Sequence, residues 1–117
     1  MKNRSTWRSF AAAFRGFKDV LVHERTFRKM FIMALVVTAL MFYFPTARNE
    51  KVLLFIMIFA VLTLELINSV IERIMDFIHL EHHTEVGNIK DLMASVVLVV
   101  SVAAATIGGV VFWPYIF

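Results

Sequence analysis

Leu92–Phe117 runs for 26 residues without a charged side chain. A helix of about 20 residues crosses the hydrocarbon core of a bilayer, so this stretch alone is long enough to span one. Met30–Ala47 is uncharged for 18 residues and Val52–Leu64 for 13. The shorter stretch spans only if its helix also carries Glu65 and the residues beyond it. The 21 charged residues cluster between these stretches, ten in 1–29, three in 48–51 and eight in 65–91. Hydrophobic residues make up 60% and charged residues 18% of the chain, and there is no cysteine. Soluble domains are nearer half apolar and a quarter charged. These features exclude a disordered chain, a disulfide scaffold, a thiolate zinc site and a cysteine nucleophile. They predict an all-α membrane protein.

The expected architecture is one domain over 1–117. A surface helix covers 5–24, and three transmembrane helices cover 27–44, 52–80 and 91–112. In the first segment Trp7, Phe10, Phe14, Phe17 and Leu21 recur at spacings of three and four, while Arg8, Arg15 and Lys18 fall elsewhere on the wheel. That pattern describes a helix lying in the membrane interface. Pro45 is expected to close the first span and Pro114 the third. Ser101, Ala105 and Gly109 form a small-residue stripe of the kind that lets helices approach closely in lipid. Trp113 and Tyr115 suit an interface belt. No cleavable signal peptide is expected, because residues 1–29 have no continuous apolar core.

Lysines and arginines set the orientation. Residues 1–29 hold eight of them, against Arg48 and Lys51 in the first hairpin loop. The positive-inside rule puts the N-terminus and the 77–91 loop in the cytoplasm and the C-terminus outside, in the cell inner membrane. The net charge of +3 favours anionic phospholipid as a partner, and no nucleic acid is expected.

Chemistry concentrates on the second span. At 100° per residue, Glu72 and Asp76 each lie about 20° from Glu65, on opposite sides, and Asn68 lies about 60° away. Three carboxylates and an amide on one stripe of an apolar helix need cations, donors or water, because like charges repel and charge is expensive in lipid. Three thin helices cannot shield this stripe, so an oligomer is expected. Mg2+ prefers carboxylate oxygens and usually retains water and substrate phosphates. Glu24 precedes the first span and Lys90–Asp91 the third, so all three segments bring charge to one membrane surface. Phosphoryl transfer uses such parts: metal ions neutralise phosphates, a lysine contacts the transferred group, and a carboxylate takes the proton of the attacking hydroxyl. The four glycines build neither a Walker loop nor a protein-kinase glycine loop. His79, His82 and His83 are not held to one face and read as solvated loop residues. Two other readings compete, a cation-pathway subunit using the Glu65/Glu72/Asp76 stripe and a non-enzymatic oligomeric membrane protein. Conduction needs polar residues through the full membrane depth, and Val52–Leu64 offers only Thr63.

The run Glu65-Leu-x-Asn68-Ser69-x-Ile71-Glu72, followed by Asp76 and then Lys90–Asp91, resembles the small bacterial diacylglycerol kinase and undecaprenol kinase family. Glu24-Arg25-x-Phe27-Arg28 is similar to that family's motif too, and the resemblance spans roughly Arg8 to Pro114. It implies a homotrimer of three-helix subunits with composite sites between subunits, ATP as co-substrate, Mg2+ as cofactor and a membrane lipid alcohol as substrate. By the same resemblance, Glu65 is the general base, and Glu24 and Glu72 hold Mg2+ with ATP. Asn68, Asp76, Glu81, His82, His83, Lys90 and Asp91 serve the nucleotide. Lys18, Phe27, Arg28 and Glu65 serve the lipid. The Glu-Arg-x-Phe segment and the Gly108–Pro114 ending are more like the undecaprenol kinases, which leaves undecaprenol and diacylglycerol both open. Helix 3 departs from the family pattern, with Leu92 and Met93 where relatives carry small residues.

Overall fold

The computed structural model describes residues 5–78 and 84–117, and every regular element among them is a helix. In chain order these are α1 (Thr6–His23), α2 (Arg25–Tyr43), α3 (Arg48–Phe77) and α4 (Thr84–Ile116). α2, α3 and α4 are long and apolar enough to cross a membrane. Most of their large apolar side chains face outward, as Phe59, Leu98 and Val110 do. Lipid as the outer solvent makes that pattern stable.

The three spans run antiparallel. At one end Arg73 of α3 meets Glu24 before α2, and Lys90 of α4 meets Asp76 of α3. At the other end Tyr115 of α4 meets Glu50 of α3. The buried core lies toward this second end, where Met41, Leu54, Val111 and Phe112 pack together with Phe44 and Phe55 around them.

α1 is amphipathic as expected, but its aromatic face is divided. Trp7 is 78% exposed, and Phe10 and Phe14 also point away from the protein. Phe17 instead turns onto α2, edge-on to Phe27 at 5.4 Å and Phe31 at 5.6 Å. Periodicity puts these rings on one face, and only the fold of α1 against α2 separates the docked part from the free part. Ser5 caps α1 by accepting from the Arg8 amide.

Helix boundaries correct the expected ones in three places. α3 begins at Arg48, four residues before the apolar stretch, because the Glu50 side chain accepts from the Ala47 amide at 2.8 Å and secures the first turn. α4 begins at Thr84 and takes in Gly87, seven residues ahead of the expected start. Buried Val86 and Met93 and the Lys90–Asp76 pair dock this leading turn on the protein, which outweighs the weak helix propensity of glycine. α4 also passes Pro114 and reaches Ile116. Proline so near a helix end removes one hydrogen bond and leaves little helix to break. The expected end of the second span, residues 79–80, lies outside the described residues.

The small-residue stripe does not bring helices together within the subunit. A methyl group on Gly108 or Gly109 would meet nothing within 4 Å. With Ser101 and Ala105, these glycines instead line an apolar cavity of about 460 Å³ shared with Met33 and Val37 of α2 and Val61 of α3.

Candidate functional site

The charged end of the bundle is built on the last four turns of α3. Glu65 is 3% exposed and Ser69, one turn on, is also buried. No described residue donates a hydrogen bond to the Glu65 carboxylate. A buried polar group without a partner costs stability, so native structures rarely keep one without a use for it. Glu72 and Asn68 are half-buried, and Asn68 Nδ2 donates to Glu72 Oε1 at 3.4 Å. Asp76 is exposed and accepts from Lys90 Nζ at 3.2 Å. The stripe thus climbs from a carboxylate on a buried residue to one on an exposed residue along a single helix.

Glu24 reaches the same end from the elbow between α1 and α2. Its backbone is extended, with φ −107° and ψ 108°, so the chain turns there without glycine or proline. Arg28 stabilises the turn: its guanidinium donates to the carbonyls of Leu21 at 3.1 Å and Val22 at 2.6 Å, at the open end of α1. The Glu24 side chain is turned toward α3, where Oε1 accepts from both Nε and Nη2 of Arg73 at 3.3 Å. Arg73 also pairs with Asp19, and His23 Nδ1 lies 2.8 Å from the Asp19 carboxylate. The Arg73 guanidinium beside Asp19 holds that carboxyl below its ordinary value, with His23 adding to the effect.

The residues expected to serve the lipid divide by environment. Lys18 is exposed on α1. Phe27 is 0% exposed, sealed between Phe17 and Phe31, which gives it a packing role in this subunit. Arg28 is engaged by α1 as described. On α4, Asp91 is exposed, and its backbone carbonyl accepts from Ser95. Met93 faces inward and Leu92 outward, so α4 docks here through a long side chain. Glu81, His82 and His83 lie outside the described residues, as does His79.

The structure adds Arg73, Asp19 and Ser69 to the charged end. Ser69 was visible in the motif, lying about 40° from Glu65 on the wheel. Arg73 lies about 100° from Glu72, and its partners are 49 and 54 residues away in the chain, so no local pattern points to it. Among the described residues, no three histidine, aspartate or glutamate side chains converge as a ready metal cage. Glu24 and Glu72 are hard oxygen donors, the type Mg2+ takes when water and phosphate complete its shell. The donor chemistry therefore fits that ion.

Residues 11–112 match the family described as prokaryotic diacylglycerol kinase. The chain is 32% identical over 108 residues to the undecaprenol kinase of Bacillus subtilis, covering 92% of this chain and 88% of that protein. It is 29% identical over 102 residues to the diacylglycerol kinase of Haemophilus influenzae, covering 86% of each. Against the diacylglycerol kinase of Escherichia coli the identity is 24% over 103 residues, covering 88% and 84%. With three membrane-length helices and a match across nearly its whole length, the chain belongs to the prokaryotic diacylglycerol kinase family.

Proposed function

We propose that this protein is a single-domain membrane lipid kinase that transfers the γ-phosphoryl group of ATP, with Mg2+, to the hydroxyl of undecaprenol or diacylglycerol. The observation that carries the reading is Glu65: a residue 3% exposed, its carboxylate without a hydrogen-bond donor among the described residues, on the same helical stripe as Glu72.

In this reading the lipid alcohol approaches from the bilayer, and Glu65 accepts its proton. The alkoxide oxygen forms a bond to the γ-phosphorus, the bond to the β-phosphate oxygen breaks, and ADP leaves. A carboxylate shielded from bulk water but open to the lipid hydroxyl suits a general base. Mg2+, when bound, supplies charge neutralisation on the phosphates. Glu24 and Glu72 hold it, and Asn68 orients Glu72 through its amide. Lys90, kept beside Asp76 in this structure, is the phosphate-facing cation, with Asp91 next to it. Glu81, His82 and His83 complete the nucleotide side. Lys18 lies on the surface helix, where it attracts anionic headgroups.

The site faces the cytoplasm of the inner membrane, following the basic N-terminal segment, and ATP is available there. The working form is a homotrimer with sites shared between subunits. A lone subunit leaves Glu72 only half-covered and most of its apolar surface open. Radiolabelled ATP incubated with purified protein in mixed micelles containing diacylglycerol or undecaprenol tests class and substrate together. Labelled phosphatidic acid or undecaprenyl phosphate is the expected product, and label in neither lipid would refute the reading.

A further inference from the structure

Among the described residues, Arg73 is the one cation that joins three separate elements of the charged end. It rises from α3 immediately after Glu72, reaches Asp19 in the last turns of α1, and forks onto Glu24 at the elbow into α2. Both contacts on Glu24 fall on the same oxygen, Oε1, at 3.3 Å. No described residue donates to Oε2. The contact with Asp19 is the shorter one. The guanidinium is therefore anchored chiefly on Asp19 and holds Glu24 by one oxygen.

Stability alone does not account for this arrangement. Arg73 and Asp19 are each more than 40% exposed, and exposed ion pairs contribute little to folding. α1 is already docked by Phe17 against Phe27 and Phe31. The fork does, however, fix the direction of a carboxylate that would otherwise swing freely at a one-residue elbow. Arginine suits the task because its planar donors can engage two carboxylates at once, whereas a lysine ammonium acts as a point charge.

We propose that Arg73 is a positioning residue: anchored by Asp19, it holds the Glu24 carboxylate in the orientation that receives the divalent cation. This rests on the kinase reading for the role of Glu24. Groups that orient metal-binding side chains commonly cost about tenfold or more in affinity when removed.

The test uses the full-length protein in lipid nanodiscs, as wild type, Arg73→Met, Asp19→Asn, the double variant and Arg73→Lys. Amide hydrogen exchange is first measured across residues 19–28 without metal or nucleotide. Exchange there should quicken in both single variants, and no further in the double variant. Mn2+ is then titrated by electron paramagnetic resonance with a non-hydrolysable ATP analogue, so that no turnover is needed. Affinity should fall about tenfold in both single variants, equally in the double, and Arg73→Lys should not restore it. In turnover assays KM for Mg–ATP should rise more than kcat falls. Unchanged or tighter Mn2+ binding, additive losses, or full rescue by lysine would overturn the assignment. If the exchange and Mn2+ pattern held while the wild type phosphorylated no lipid, the kinase reading would fail and the positioning role of Arg73 would stand.

Discussion

The two ends of the bundle each carry a glutamate on α3, and they treat it in opposite ways. At the α2–α3 turn, Glu50 Oε1 accepts from the Ala47 amide at 2.8 Å and from the Tyr115 hydroxyl at 2.6 Å. Around it, Thr46 donates to the Met41 carbonyl and Lys51 to the Thr46 carbonyl, both at 2.7 Å. That end is closed on itself: a capped turn, an aromatic cluster of Phe44, Phe112 and Tyr115, and the buried core beneath. At the other end Glu65 is more buried than Glu50 yet accepts from no described residue, and the described contacts hold Glu24 by one oxygen. A carboxylate that serves the fold is satisfied within the subunit. One that serves chemistry is left for a substrate, a cation or a neighbouring subunit to complete.

The most severe break in this contrast is Glu65→Gln. It keeps the shape and removes the base, so lipid phosphorylation should fall by about 10²–10⁴ while ATP binding and the oligomer persist. A variant that retained more than half of the activity would remove Glu65 from the role. Glu24→Ala and Glu72→Ala come next. Each deletes an oxygen donor, and each should weaken Mg–ATP binding by about 10- to 100-fold, measured as the KM for Mg–ATP. Because Glu65 and Glu24 sit on different elements, mixing Glu65→Gln with Glu24→Ala protein before reassembly should restore part of the activity if the sites are shared between subunits. No rescue in well-mixed hetero-oligomers would confine each site to one chain.

The closed end should respond differently. Tyr115→Phe removes one donor from Glu50 and leaves the Ala47 amide in place, so thermal stability should drop modestly with KM and kcat unchanged. A kinetic effect would mean that the two ends are coupled through α3. Smallest of all is the response of the Arg73 clamp to acid. Arg73 holds the Asp19 carboxyl below its ordinary value, so the pair is fully formed above that value and is lost only as pH falls through the depressed one. Amide exchange in 19–28, corrected for intrinsic rates, should therefore be alike at neutral and mildly acidic pH.

Much of the molecule was legible from residue order. Charge-free length identified the spans, because lipid leaves an apolar helix few alternatives. A seven- and eleven-residue spacing put Glu65, Glu72 and Asp76 on one stripe, because helical pitch is a local property. Helix ends were less legible where tertiary contacts determine them. The capped turn at Glu50 lengthened α3, and the docking of Val86, Met93 and Lys90 drew α4 back to Thr84. The aromatic face of α1 reads as uniform in one dimension, yet its inner rings are docked and its outer rings are free.

Local periodicity by itself determined that this chain is a set of membrane-length helices with a carboxylate stripe at one end, since both follow from bonds and burial along a single helix. Only the tertiary structure decided that the stripe's deepest carboxylate has no partner among the described residues while Glu50 has two. It also decided that Arg73 reaches 49 residues back to Glu24 and 54 back to Asp19, and that Gly109 borders a cavity and not a neighbouring helix. These depend on which side chains distant segments bring to the same place, and spacing along the chain carries no record of that until the helices pack.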